Sequence, residues 1–187
     1  MINLFDLKQQ VALITGSGSG LGRAIAKGLA GVGVRVALVD IQAAAIQNTF
    51  DSITAESGEG LALPADVTKS EQVKTAVQLA IARFGRIDIL VNCAGITRRM
   101  PAEEFAESDW DLVIDVNLKG TFLCCREVGK HMLGKGSGSI INIASLGAHV
   151  VFGKPEELIG PVIFLASEAS SYVTAQILAV DGGYLAQ

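Results

Sequence analysis

Long apolar runs are missing from this sequence: no stretch of its 187 residues approaches the ~20 apolar positions that a membrane-spanning helix needs. Basic blocks are missing too. With 15 Lys and Arg against 19 Asp and Glu, the net charge is −4, so the electrostatic footprint of a nucleic-acid binder is absent. The first ten residues, MINLFDLKQQ, lack the basic and apolar regions of a secretory signal, and the expected location is cytoplasmic. Cysteine is scarce. Cys93, Cys124 and Cys125 have no metal-ligand spacing, two of them are adjacent, and an odd number suits no disulfide framework. They are expected to be buried or half-buried thiols in a reducing compartment, and no metal site is expected. Histidine and tyrosine occur only twice each, which restricts the proton-transfer chemistry available.

What is present has globular character. Half of the residues are apolar and 18% are charged, and the length suits one domain with a true core. Short β-branched runs recur at 11–14, 35–39, 61–64, 87–92, 139–144 and 177–181. Helical spacing separates them. Leu21, Ile25, Gly28, Leu29 and Val32 form one stripe, and Val73, Ala76, Val77, Ala80, Ile81 and Phe84 form another. Thr68 followed by Glu71 predicts a capping box at the start of the second helix. A further helix is expected from 108 to 132, with a break near Gly120. Continuous apolar strands alternating with helices imply a parallel sheet covered on both faces.

Between the first strand and the first helix stands TGSGSGLG, with four glycines in eight positions. A tight turn alone needs one or two glycines for positive φ. Four at alternate positions bare the backbone N–H groups beside a helix N-terminus, an arrangement that suits a diphosphate. The stretch is neither a clean Gly-x-Gly-x-x-Gly, because Arg23 takes the last place, nor a P-loop. The expected contacts are Gly16, Ser19, Gly20, Leu21 and Gly22. Asp40 ends the second strand eighteen residues after Gly22, where a carboxylate accepts bonds from adenosine ribose hydroxyls and repels a 2′-phosphate. Neither Ser19 nor the neighbouring Ile41 supplies a positive charge to offset it. NAD is therefore expected as the cofactor in preference to NADP.

These residues resemble the short-chain dehydrogenase/reductase family. Its turn, Thr-Gly-x-x-x-Gly-x-Gly, is matched by Thr15, Gly16, Gly20 and Gly22. The resemblance implies that Asp66 and Val67 of ADVT hold the adenine ring. It implies that Asn92, Ala94 and Gly95 of NCAG border the cofactor. Asn117 of VNLKG corresponds to a proton-relay asparagine, and Ser145 of IINIAS to the catalytic serine. The fold implied is a Rossmann-like doubly wound α/β domain, one βα unit short, with six strands in the order 3-2-1-4-5-6. Within the family, NCAGITRR and NLKGTFLC are most similar to gluconate 5-dehydrogenases and related sugar-acid enzymes. The resemblance spans nearly the whole chain, 1–187, as a single dinucleotide-binding domain.

One part of the family pattern is absent. The tyrosine of a Tyr-x-x-x-Lys motif moves the proton, and its lysine lowers the tyrosine's pKa. Here the tyrosines are Tyr172, followed at the fourth position by Gln176, and Tyr184, three residues from the end. Compared with the family, a contiguous block is missing, with its seam near Val151 and Phe152. His149, His131 and Lys154 are weak candidates to replace the pair. A Ser-His-acid hydrolase is disfavoured because Ser145 has no nucleophile elbow around it. Arg98 and Arg99 are expected as solvated side chains rather than a carboxylate trap. Two readings stand: an NAD-dependent oxidoreductase acting on a hydroxyl or keto group of a sugar acid, and a catalytically inactive NAD-binding module or truncated product. Beyond NAD(H), the expected partners are a small hydroxy or keto substrate if the chain is active, and a second copy of the chain. The family's interface helix is partly missing. Proline at 155 is expected to start a helix leading to the last strand, and Pro161 to loosen it.

Overall fold

The computed structural model describes residues 3–145 and 153–183. Five strands form one parallel sheet: β1 (Val11–Thr15), β2 (Arg35–Asp40), β3 (Gly60–Pro64), β4 (Ile89–Asn92) and β5 (Ser139–Asn142). Their order is β3-β2-β1-β4-β5. Strand β1 lies at the centre, with Leu13 opposite Ala37 on one side and Leu90 on the other. Buried along its whole length, it reads as an unbroken apolar run closed by a threonine. Side chains alternate between faces. Val11 and Leu13 join the core made with α3 (Ser70–Phe84) and α5 (Thr121–Lys135). Ala12 and Ile14 join the opposite core, made with α1 (Gly20–Gly31), α2 (Ala43–Ala55) and α6 (Ile159–Ala166).

The helix expected from 108 to 132 is interrupted where expected but not broken. It starts as α4 (Glu107–Ile114), widens into a π-helical segment at Asp115–Gly120, and continues as α5. The widening ends at Gly120, where a Cβ would lie 2.8 Å from Val67 Cγ2. Helix α3 does not begin with the expected capping box. Its first cap is Lys69, with no side-chain bond. Asp66 organises the entry instead: its Oδ1 accepts the Thr68 N–H at 2.8 Å, and its own N–H donates to Gln72 Oε1 at 2.8 Å. An aspartate two residues upstream competes for the turn through its shorter, more local reach.

At the amino ends of the strands a charged bolt closes the sheet. The side chain of Asp88 is 8% exposed. Its Oδ2 accepts the Val11 N–H at 3.0 Å, Arg86 donates through Nε and Nη2, and Lys135 Nζ donates from the end of α5. Burial works to raise the Asp88 pKa, but the bonds from Arg86, Lys135 and Val11 outweigh it and hold the carboxyl below its usual range.

The sixth strand is the main departure from expectation. Among the described residues the sheet ends at β5, and residues 171–183 form no strand. Tyr172 is fully exposed and Ile177 is 93% exposed. The run at 177–181 is β-prone, but strand propensity is realised only against a neighbouring strand and a face to bury. Here the chain is tied elsewhere. Ser139 Oγ donates to the Leu165 carbonyl at 2.8 Å, and the Ala169 N–H donates to the Leu4 carbonyl at 3.2 Å. Helix α6 docks on α1, where a Cβ on Gly28 would lie 2.5 Å from Ile159 Cγ2. Pro155 opens a 3₁₀ turn, Pro155–Leu158, as expected. Pro161 falls in the first turn of α6, where proline removes little hydrogen bonding, so it marks the helix start instead of loosening it.

Candidate functional site

Helices α1 and α2 cover one face of the sheet while α3 and α5 cover the other, so the winding direction reverses between β1 and β4. The loops leaving the carboxyl ends of these two adjacent strands must part, and an open parallel sheet binds ligands in that crevice. The glycine turn leaves β1 here, and residues 93–96 leave β4.

The two loops are locked together. Thr15, 2% exposed, accepts the Cys93 N–H at 3.0 Å and the Ala94 N–H at 3.1 Å through Oγ1. Gly16 has φ +67°, and a Cβ there would lie 2.8 Å from the Ala94 backbone, so both conformation and space demand glycine. Gly22 lets α1 approach β1: its absent Cβ would sit 2.2 Å from the Gly16 carbonyl oxygen. Ser19 and Gly20 are exposed at the turn's tip, and Leu21 is 39% exposed. The tip is therefore bare backbone at the start of a twelve-residue helix, and among the described residues nothing lies within 4 Å of a Cβ placed on Gly20.

The outer arm of the turn is tied to the end of β2. Ser17 is buried and its N–H donates to the Val39 carbonyl at 3.2 Å, while Thr49 Oγ1 donates to the Ser17 carbonyl at 3.0 Å. Asp40 accepts the Gly18 N–H at Oδ2 and the Gln42 N–H at Oδ1, each at 3.0 Å. Its carboxylate is thus fixed beside the turn and stays partly exposed, with lone pairs left for a further donor. Ile41, 67% exposed, follows it. Arg23 grips the Gly18 carbonyl with Nε at 3.2 Å and Nη2 at 2.9 Å.

Asp66 stands half-exposed after β3, with Val67 buried behind it against Gly120. Gly95 is exposed and Ala94 half-buried on the β4 loop. The side chain of Asn92 faces the sheet. Its Nδ2 donates to Asn142 Oδ1 at 2.8 Å and to Cys125 Sγ at 3.2 Å, and its Oδ1 is buried without a hydrogen bond. Asn117 comes from the π-helical segment, whose extra residue per turn re-aims side chains and recurs at functional sites. Its Oδ1 accepts the Ile96 N–H at 2.8 Å and its Nδ2 donates to the Ile96 carbonyl at 2.9 Å. This two-point clasp holds the β4 loop in place. Asn117→Ala should remove both bonds, each of about 1 kcal/mol, and Asn117→Asp only the one donated by Nδ2. Amide hydrogen exchange at Ile96 should accelerate about tenfold or more in the alanine variant and remain slower in the aspartate variant.

Ser145 is exposed three residues beyond β5. His149, Val151, Phe152 and Tyr184 lie outside the described residues. His131 is remote from the crevice: its Nε2 accepts the Ile87 N–H at 3.2 Å, at the amino end of β4. Lys154 caps the 3₁₀ turn through its own N–H, bound to Glu157 Oε2 at 2.8 Å. Arg98 pairs with Asp109 at 3.3 Å rather than standing free, whereas Arg99 is exposed. The cysteines are free thiols, as expected. Burial pushes Cys93 up to about 11 and Cys124 up to about 12, which leaves them protonated and unreactive. No cluster of metal-binding side chains occurs among the described residues. A cavity of about 360 Å³ lies away from the crevice between β3 and α3, lined by Leu63, Pro64, Gln72 and Leu79 among others. Its polar lining is Glu71, Gln72 and Thr75, which includes an acid and no basic side chain and so does not suit a diphosphate.

The family model of the short chain dehydrogenases matches residues 10–154. The chain belongs to that family. It is 40% identical over 179 residues to D-threitol dehydrogenase of Mycolicibacterium smegmatis, covering 96% of the chain and 66% of that protein. With 2-dehydro-3-deoxy-D-gluconate 5-dehydrogenase of Escherichia coli it shares 32% identity over 254 aligned positions, which span the whole of both chains. Among solved structures, a gluconate 5-dehydrogenase from Burkholderia cenocepacia in complex with NADP and tartrate superposes with a TM-score of 0.91. It is 30% identical, with 98% of each chain covered. A short-chain type dehydrogenase/reductase from Mycobacterium marinum reaches 0.93 at 28% identity, again over 98% of each chain. This short-chain dehydrogenase thus has sugar-acid dehydrogenases among its relatives and a Rossmann-like sheet short of the full family fold, and its family binds NAD(P). No helix among the described residues is long and apolar enough to cross a membrane.

Sequence reasoning missed the roles of three residues. Thr15 was legible as the first position of the glycine-turn motif but not as the acceptor that joins two loops, Arg23 only as a misfit in a glycine motif, and Asn142 not at all. Each acts across 5 to 79 positions of sequence, beyond the reach of local pattern.

Proposed function

We propose that this chain binds NAD(H) in the β1–β4 crevice and holds it without turning over substrate. The observation that carries this reading is the turn at Gly16 to Gly22. Its tip is backbone held open by two glycines that admit no Cβ, with a carboxylate fixed at its outer arm. The residues fit the cofactor. Exposed N–H groups at the tip, aided by the N-terminus of α1, would hold the diphosphate. Asp40 would accept from the adenosine ribose, which favours NAD over NADP, and Ala94, Gly95, Asp66 and Val67 would border the adenine half. When bound, the nicotinamide supplies a hydride acceptor. The chain's own residues near it, Asn117 and Ser145, orient groups but include no tyrosine activated by lysine.

The family's activity supports hydride transfer between NAD and a hydroxyl or keto group of a gluconate-like sugar acid as the chemistry of the lineage. The alignment of 254 positions against 187 residues supports an internal gap as the reason this chain lacks the proton-transfer pair. An unperturbed tyrosine, with a pKa near 10, is a poor base at neutral pH, so positioning alone does not restore the reaction.

Titration calorimetry with NADH tests the binding, and absorbance at 340 nm with NAD and gluconate tests the turnover. Saturable binding with no NADH formed is expected. Asp40→Ala should weaken NADH about tenfold, the worth of a charge-assisted hydrogen bond, and narrow discrimination against NADPH. NADH formation by this chain would favour the active oxidoreductase reading instead. Failure to bind either dinucleotide would sink both.

A further inference from the structure

Asp40 is not the only charge at the adenosine end of the crevice. Cα–Cβ bonds on a helix lean toward its N-terminus, so a long side chain in the first turn of α1 reaches back over the loop that precedes it. Arg23 does this. Its Nε and Nη2 both donate to the Gly18 carbonyl, at 3.2 and 2.9 Å, while the N–H of the same residue donates to Asp40 Oδ2 at 3.0 Å. A carboxylate and a guanidinium therefore flank one residue of the turn.

The two charges are committed to different degrees. Both Asp40 oxygens already accept a main-chain N–H. A guanidinium has five N–H donors in a planar fork. Arg23 spends two of them on a single neutral carbonyl, and it forms no ion pair among the described residues. The side chain is exposed, so its remaining donors and its full charge face solvent at the mouth of the turn. Such a fork suits a phosphate, and a phosphate monoester carries nearly two negative charges at neutral pH. Positions 19 and 41, the neighbours of the turn and of Asp40, supply no cation; the cation arrives from the helix.

We propose that Arg23 is a second determinant of cofactor choice, a cation that offsets Asp40 and lets the crevice accept the 2′-phosphate of NADP as well as the free ribose of NAD. The proposal rests on the dinucleotide-binding reading above. Asp40 sets the preference for NAD, and Arg23 keeps that preference narrow. Both are anchored on Gly18, one at its N–H and one at its carbonyl, and they act on the same ribose with opposite signs.

Calorimetric titration of NADH and NADPH into the wild-type chain, Arg23→Ala and Arg23→Lys tests this. The wild type should bind both, with NADH favoured by about tenfold or less. Arg23→Ala should weaken NADPH by about tenfold or more, the size of a charge-assisted phosphate contact, and change NADH by less than about threefold. Arg23→Lys keeps the charge without the two-point grip on Gly18, and should retain most of the NADPH affinity. Raising the salt to 0.5 M should cut wild-type NADPH binding more than NADH binding. Equal weakening of both dinucleotides in Arg23→Ala would show that the arginine only braces the loop, and would overturn the proposal. So would unchanged NADPH affinity. If the wild type binds neither dinucleotide, the binding reading itself fails, a result that no Arg23 variant can imitate.

Discussion

Adding one methyl group at Gly22 should weaken dinucleotide binding about a hundredfold and destabilise the domain, although alanine is the better helix former. In an exposed helix the exchange gains about 1 kcal/mol of propensity. Here the new Cβ would lie 2.2 Å from the Gly16 carbonyl oxygen and 2.7 Å from its carbonyl carbon. Both are backbone atoms, and a Cβ has no rotamer by which to escape. Either α1 slides away from β1 or Gly16 shifts, and Gly16 is itself pressed against Ala94. Overpacking of this kind costs about 1–3 kcal/mol, which outweighs the propensity gain. The displaced loop also misaims the N–H groups that would meet the diphosphate, so NADH affinity should fall about a hundredfold, in line with the effect of angstrom-scale misplacement. Gly20→Ala is the comparison. Nothing lies within 4 Å of its absent Cβ, so only the strain of φ +50° applies, of about 1–2 kcal/mol. Calorimetry and thermal melts on the two variants separate crowding from strain. Wild-type NADH affinity in Gly22→Ala would disprove the close strand–helix approach as the basis of the site.

Asp88→Asn should produce the largest loss of stability away from the crevice. The carboxylate ties the start of β1 to Arg86 and to Lys135 at the end of α5. Removing its charge strands two cations beside a buried amide. Breaking a buried ion pair costs about 3–5 kcal/mol, and the lower end applies because Arg86 and Lys135 keep contact with water. At about 2–4 °C per kcal/mol for a domain of this size, the melting temperature should fall by roughly 6–12 °C. The effect depends on pH. The folded pKa of Asp88 lies below its unfolded value, near 3.9, so its stabilisation is complete above that value and is lost as pH falls through the folded pKa. The gap in melting temperature between wild type and Asp88→Asn should therefore be constant from about pH 7 to 5 and narrow progressively as pH falls below about 3.9. A gap that stays constant as pH falls below the unfolded value would mean that packing, not charge, makes this residue matter.

Much of the architecture was legible because it rests on local periodicity. Five of the six expected strands agree with the observed ones to within two residues at each end, the largest shifts being the start of β4 and the end of β5. The glycine turn stood out because four glycines at alternate positions have few other uses. The interruption at 115–120 was foreshadowed by Gly120, although a π-helical widening, and not a break, is what accommodates it. Two local expectations failed for the same reason. The Thr68–Glu71 cap lost to Asp66, and the strand at 177–181 found no neighbour, because pattern records what a segment can do and not what stands beside it.

By itself the sequence determined the alternation of strands and helices, the glycine turn, the acid at the end of β2 and the lack of a tyrosine paired with lysine. All of these lie within about twenty consecutive residues, or are matters of composition. Tertiary structure alone decided that the sheet of the described residues stops at β5, that Thr15 locks two loops, that Asn117 clasps Ile96, and that Arg23 and Asp40 both bond to Gly18. The physical reason is that hydrogen bonds and charges act through space over a few ångströms. Partners separated along the chain come that close only when the sheet and its covering helices have closed around a shared core.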